Sequence, residues 1–156
     1  MDTRDYLLRS IELAAETVRN GRGGPFGAVI VKDGVVIGEG ANRVIGDNDP
    51  TAHAEVTAIR AACAKLSNFV LAGSTIYASS EPCPMCLAAI YWSRIDSIVF
   101  ASDRLVAARA GFDDGFFYDE IARSPADRRV PMQQIEMPEG VKIFDEWSAK
   151  SDKVPY

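Results

Sequence analysis

Two short stretches carry residue types that together can hold a metal and move a proton. One is His53-Ala54-Glu55 and the other is Pro82-Cys83-Pro84-Met85-Cys86. Cys83 and Cys86 are spaced i, i+3, which brings two sulfurs together on the first turn of a helix. Pro84 suits that turn, where backbone N–H groups have no partner inside the helix. Two thiolates and one imidazole make a three-ligand set for Zn²⁺. A fourth position left to water is the arrangement of catalytic zinc, not of structural zinc. Glu55 is then the acid–base group beside that water. Taken singly, each part has a plainer reading: a His at a helix start as a cap, C-x-x-C as a redox pair or half of a structural zinc site. Their combination with Glu55 and the flanking prolines favours the catalytic metal. Cys63, beside Ala61, Ala62 and Ala64, reads as a small packed core residue.

These residues need elements to aim them. His53 and Glu55 are two apart and would diverge in mid-helix, but at a helix's first turn both can project past its end. The expected geometry is therefore two helix starts meeting at one metal. A helix over 53–65 would carry the first pair, with Thr51 as its cap, and a helix over 82–92 would carry the cysteines. Upstream, Leu7, Leu8, Ile11, Ala14, Ala15 and Val18 form the stripe of an amphipathic helix over 4–19, stopped by Asn20-Gly21. Gly23-Gly24-Pro25 is a loop, residues 26–31 a strand, Asp33-Gly34 a hairpin turn and residues 35–39 the return strand. A polar loop follows over 40–50. Strands are expected over 74–78 and 97–101, a possible edge strand over 130–135 despite Pro131, and helices over 104–110, 116–122 and 141–150. The order predicts a single α/β domain over 1–156: a mixed five-stranded sheet with helices on both faces, in three α/β/α layers. Trp92 and Trp147 read as packing residues.

Composition narrows the setting. The chain has 156 residues, 47% hydrophobic and 25% charged, as expected of an ordinary globular protein. Its net charge of −5 lacks the broad positive field that long nucleic acids reward. Three cysteines make no disulfide framework, and thiolates kept for a metal suit a reducing compartment. The charged start lacks a signal region, and no apolar run is long enough to span a membrane. The expectation is a cytoplasmic protein with no membrane contact.

The pairing of H-x-E with P-C-x-x-C resembles the cytidine-deaminase-like zinc superfamily. A narrower likeness rests on Gly23-Gly24-Pro25-Phe26-Gly27 through Gly34, on Asn48-Asp49-Pro50-Thr51-Ala52-His53-Ala54-Glu55 through Arg60, and on Ala110-Gly111-Phe112-Asp113-Asp114. These stretches are similar to bacterial guanine deaminases, and the Gly-Phe-Asp-Asp loop with the terminal Tyr156 points to that branch. The resemblance implies hydrolysis of guanine to xanthine and ammonia in a homodimer with one Zn²⁺ per subunit. It implies His53, Cys83 and Cys86 as ligands and Glu55 as the proton shuttle. It further implies Asn42 on the purine edge, Phe26 stacked on the ring, and Asp114 or its neighbour Asp113 accepting from the guanine amine side. Relatives can close the pocket with the C-terminal segment, here about 140–156, sometimes exchanged between subunits, which brings in Tyr156. The run Ser79-Ser80-Glu81 departs from the pattern, since relatives often have Cys before the Glu. Within the same fold, a tRNA adenosine deaminase or a cytidine or guanosine deaminase is the alternative.

Overall fold

The structure, a computed structural model, describes residues 2–156, and two compact units divide the chain at Gly115. In the first unit, α1 (Thr3–Asn20) starts at a capping box in which Asp2 accepts from the Arg4 and Asp5 N–H groups. It stops at Gly21, which takes the left-handed conformation. The hairpin of β1 (Gly27–Lys32) and β2 (Val35–Ala41) turns at Asp33-Gly34, both at positive φ, as the sequence predicts. Then come α2 (Val44–Asp47), α3 (Ala54–Leu66), β3 (Ser74–Ser80), α4 (Pro84–Trp92), β4 (Ser97–Ser102) and α5 (Arg104–Arg109).

The sheet order is β2-β1-β3-β4. β1 runs antiparallel to both β2 and β3, while β3 and β4 are parallel. Alternation along β1 divides the core. Ala28 and Ile30 face α3 and α4 with Ile37, Ala54, Ala58, Ala62, Leu71, Ile76 and Ile90. Val29 and Val31 face α1 with Tyr6, Leu13 and Tyr77. The helices therefore lie on both faces, giving the expected α/β/α layering.

The sheet has four strands among the described residues, not the five expected. The segment expected as an edge strand, 130–135, is irregular and exposed. Pro131 removes a ladder donor from it, and its apolar side chains find no pleated neighbour. The polar loop over 40–50 holds the short α2, and the last helix starts at Pro138, three residues before the expected Val141.

The second unit, Phe116–Tyr156, contains most of α6 (Gly115–Ala122), a 3₁₀ turn at Pro125–Asp127 and α7 (Pro138–Ala149). Arg128 organises it by donating to the Glu120 and Ile121 carbonyls, and Glu120 accepts from the Arg129 N–H at 2.7 Å. No side chain of this unit is buried. Trp147, like Trp92 of α4, stands exposed instead of packing into a core.

Candidate active site

The start of α3 is set by contact between backbone and backbone. A Cβ on Gly40 of β2 would come within 2.2 Å of the Ala54 carbonyl, so the helix lies directly on the strand only because that residue is glycine. His53 is the N-cap, in extended conformation, and its carbonyl accepts from Thr57 N–H at 2.9 Å. Glu55 follows in the first turn. Thr51 is not the cap: its N–H and hydroxyl both donate to Asp49 Oδ1, at 2.8 and 2.7 Å, a local turn that takes the hydroxyl away from the helix. The second helix start has the same form. Cys83 is the N-cap of α4, Pro84 opens the helix, and Cys86 lies within its first turn and is fully buried.

The two starts meet. His53 Nδ1 is 3.5 Å from Cys83 Sγ and 3.4 Å from Cys86 Sγ, and the three donor atoms all lie within 4.8 Å of one another. Tetrahedral zinc, with Zn–S of about 2.3 Å and Zn–N of about 2.0 Å, would space a sulfur and a nitrogen about 3.5 Å apart. The trio therefore fits a zinc ion in both ligand type and spacing. Among the described residues no further His, Cys or carboxylate joins the group, and Cys63 is not part of it. Glu55 Oε2 lies 3.4 Å from Cys86 Sγ, at the rim of the trio.

Burial shapes the electrostatics. It pushes the Glu55 carboxyl up, because the charged form loses its water. The Cys83 thiol is held down to about 4 by its hydrogen bond with Cys86, while the Cys86 thiol is pushed up by that same contact and by burial. His53 is raised, chiefly by its hydrogen bond with Cys83. Asp114 is raised by burial and by the negative charge of Cys83, so its carboxyl sits within electrostatic reach of the trio.

The remaining sequence-predicted residues lie on loops. Asn42, at the end of β2, is buried. Its Oδ1 accepts from Gly24 and Val44 N–H groups, both at 3.2 Å, and its N–H donates to the Phe26 carbonyl at 3.0 Å. Arg43 N–H donates to Ala52, the residue before His53, at 2.9 Å, which holds this segment beside the start of α3. Phe26 is half-buried. Asp113 and Asp114 are distinct in the structure: Asp113 is exposed and its Oδ1 accepts from Gly115 N–H at 3.0 Å, whereas Asp114 is half-buried. Tyr156 ends the second unit and is exposed.

Three further side chains support the site, and of these the sequence singles out Glu81 as one that faces the backbone near the cysteine helix. Thr17 Oγ1 donates to the Asn42 carbonyl at 2.8 Å. Ser79 Oγ, on β3, accepts from Gly27 N–H at the start of β1 at 3.0 Å. Glu81 Oε2 accepts from Arg104 N–H at 3.0 Å, fixing the start of α5. All three are contacts between distant segments of the chain, and the contacts of Thr17 and Ser79 left no trace in the sequence.

Known proteins resemble this chain in sequence and fold. Guanine deaminase of Bacillus subtilis is 49% identical over the full length of both chains. The X-ray structure of that enzyme matches with a TM-score of 0.97, covering 100% of this chain and 99% of the other. A guanine deaminase structure from Nitrosomonas europaea is 33% identical, with a TM-score of 0.66, and covers 70% of this chain and 64% of that one. A tRNA-specific adenosine deaminase from Haemophilus influenzae is 44% identical over 61% of this chain and 56% of its own. Residues 1–102 match the cytidine and deoxycytidylate deaminase zinc-binding region, the stretch that supplies His53, Glu55, Cys83 and Cys86. With its donor trio and buried carboxyl in place, the chain belongs to this family of zinc-dependent hydrolytic deaminases.

Proposed function

We propose that this chain hydrolyses guanine to xanthine and ammonia, a step of purine breakdown, with one zinc ion per subunit held by His53, Cys83 and Cys86. The observation that carries the reading is Glu55 Oε2 held 3.4 Å from Cys86 Sγ at the edge of the donor trio, in a chain 49% identical to a guanine deaminase along its whole length. Zinc, when bound, lets water lose a proton near neutral pH. Glu55 takes that proton and passes it to the ring nitrogen beside the carbon under attack, then takes a second proton from the hydroxyl now on that carbon and delivers it to the leaving amine. An oxygen–carbon bond forms, the carbon–nitrogen bond breaks, and the carboxylate is regenerated as ammonia leaves.

Recognition falls to the loops. The Asn42 amide has its oxygen engaged by two backbone donors, so its role at the purine edge is donation through Nδ2 to a ring acceptor. Phe26 stacks on the purine face. Asp114 accepts from N1–H and the 2-amine, a pair that a carboxylate matches and that cytosine does not offer. The contrast with Asp113, whose carboxylate is engaged by Gly115 N–H, supports Asp114 as the recognition residue.

The protein acts as a cytoplasmic homodimer in which the C-terminal segment, with Tyr156, closes a site, exchanged between subunits. Support comes from α7, whose Val141, Phe144 and Trp147 recur at helical spacing and are all exposed: an apolar stripe with no core in its own unit. No helix among the described residues is long and apolar enough to cross a membrane. A tRNA substrate is disfavoured by the net charge of −5. The test is product analysis of the zinc-loaded protein with guanine, guanosine, cytidine, adenine and tRNA in parallel. Xanthine and ammonia from free guanine are expected. Inosine in tRNA without xanthine from guanine would contradict the reading.

A further inference from the structure

Phe112 has no assigned role, yet it makes a specific contact. Its ring meets that of Phe26 edge to face, with centroids 5.0 Å apart and planes at 88°, the preferred geometry for two aromatic quadrupoles. The contact is made over Gly24. A Cβ there would lie 3.1 Å from Cε1 and Cζ of Phe112 and 3.1 Å from Cε2 of Phe26, tighter than two packed rings accommodate easily. Phe112 is 43% exposed, so its ring contributes little to the core. Its backbone is well anchored: Phe112 N–H donates to the Ala107 carbonyl at 3.0 Å, closing α5. Two residues on is Asp114, with Asp113 fixing the turn through Gly115.

We propose that Phe112 is a positioning residue: its edge-on contact with Phe26 across Gly24 docks the Asp114 loop onto the Phe26 loop, so that the carboxylate and the stacking ring meet the purine as one unit. α5 is pinned at its start by Glu81 and at its end by this ring pair, and between them they fix where Asp114 stands. The inference rests on the proposed reading that Phe26 and Asp114 contact guanine.

Guanine kinetics and zinc content of the holoenzyme test it. Phe112→Ala should keep full zinc and raise KM about five- to tenfold, the size of an edge-to-face pair, with a much smaller change in kcat. Phe112→Tyr should restore KM, and Gly24→Ala should reproduce the rise. In an Asp114→Ala background the Phe112→Ala effect should largely vanish, because the group being positioned is gone. Should Phe112→Ala fail to fold or to hold zinc, Phe112→Leu keeps the bulk without the aromatic edge and should give the same KM rise. An active wild type with unchanged KM in Phe112→Ala, or an undiminished effect in the Asp114→Ala background, would overturn the inference alone. A wild type inert on guanine would overturn the functional reading and the inference with it.

Discussion

The two halves of the site are built differently. His53, Cys83, Cys86 and Glu55 sit on the first turns of α3 and α4, elements pressed against the sheet through Ala54, Ala58 and Ile90. Asn42, Phe26 and Asp114 sit on loops held by hydrogen bonds centred on Asn42 and by one ring contact. The half proposed to perform the chemistry thus shares its rigidity with the core. The half proposed to choose the substrate can change without disturbing the donor trio, which fits relatives named for acting on guanine and on tRNA adenosine. Damage to the first half should appear in zinc content and turnover together, and damage to the second in substrate kinetics alone.

The largest effect should come from Cys86→Ala. Removing a fully buried ligand should abolish stoichiometric zinc by elemental analysis and ammonia release with it; retained metal at full occupancy would break the comparison. Asp114→Ala should keep its zinc and lose about 10- to 100-fold in kcat/KM for guanine, the usual cost of a charge-assisted hydrogen bond, while Asp113→Ala should change kcat/KM far less. Equal losses at both positions would dissolve the distinction drawn between them. Gly40→Ala, which forces α3 off β2, should cost about 1–3 kcal/mol in denaturant unfolding and weaken zinc retention, because the helix start that carries His53 must move.

The smallest effect is expected away from both halves, at the pair between Arg9 of α1 and Glu39 of β2, joined by two contacts of 2.9 Å. Glu39→Gln should cost no more than about 1 kcal/mol, since the pair is partly solvated. Arg9 lowers the Glu39 carboxyl below its ordinary value. The stabilisation is therefore present above the unfolded-state pKa of Glu and lost as pH falls through the lower folded-state value. Wild type and variant should converge in acid, with zinc content unaffected throughout.

Legibility in the sequence follows the same division. Period and spacing act over short stretches, so the α1 stripe, the Asp33-Gly34 turn and the i, i+3 cysteines were readable from neighbours alone. The meeting of the α3 and α4 starts at one donor trio was readable because a single histidine and two cysteines at i, i+3 left few partners to choose from. What failed was competition between local signals. Thr51 is a good cap in isolation, but Asp49 takes its hydroxyl. Residues 130–135 are apolar enough for a strand, but Pro131 and the lack of a neighbouring strand leave them irregular. The exposed Trp92 and Trp147 show that a large apolar side chain does not by itself announce a core. The lock on Asn42 Oδ1, the difference between Asp113 and Asp114 and the ring contact of Phe112 arise where loops far apart in the chain converge, and periodicity carries no information about them.

The most direct test of the account is Glu55→Gln, assayed for zinc by elemental analysis and for ammonia release from guanine on the same sample. The account predicts an intact fold, one zinc per subunit as in the wild type, and turnover reduced by at least about 10²-fold, as removal of a general acid–base group requires. Wild-type turnover in a zinc-replete Glu55→Gln protein would contradict it.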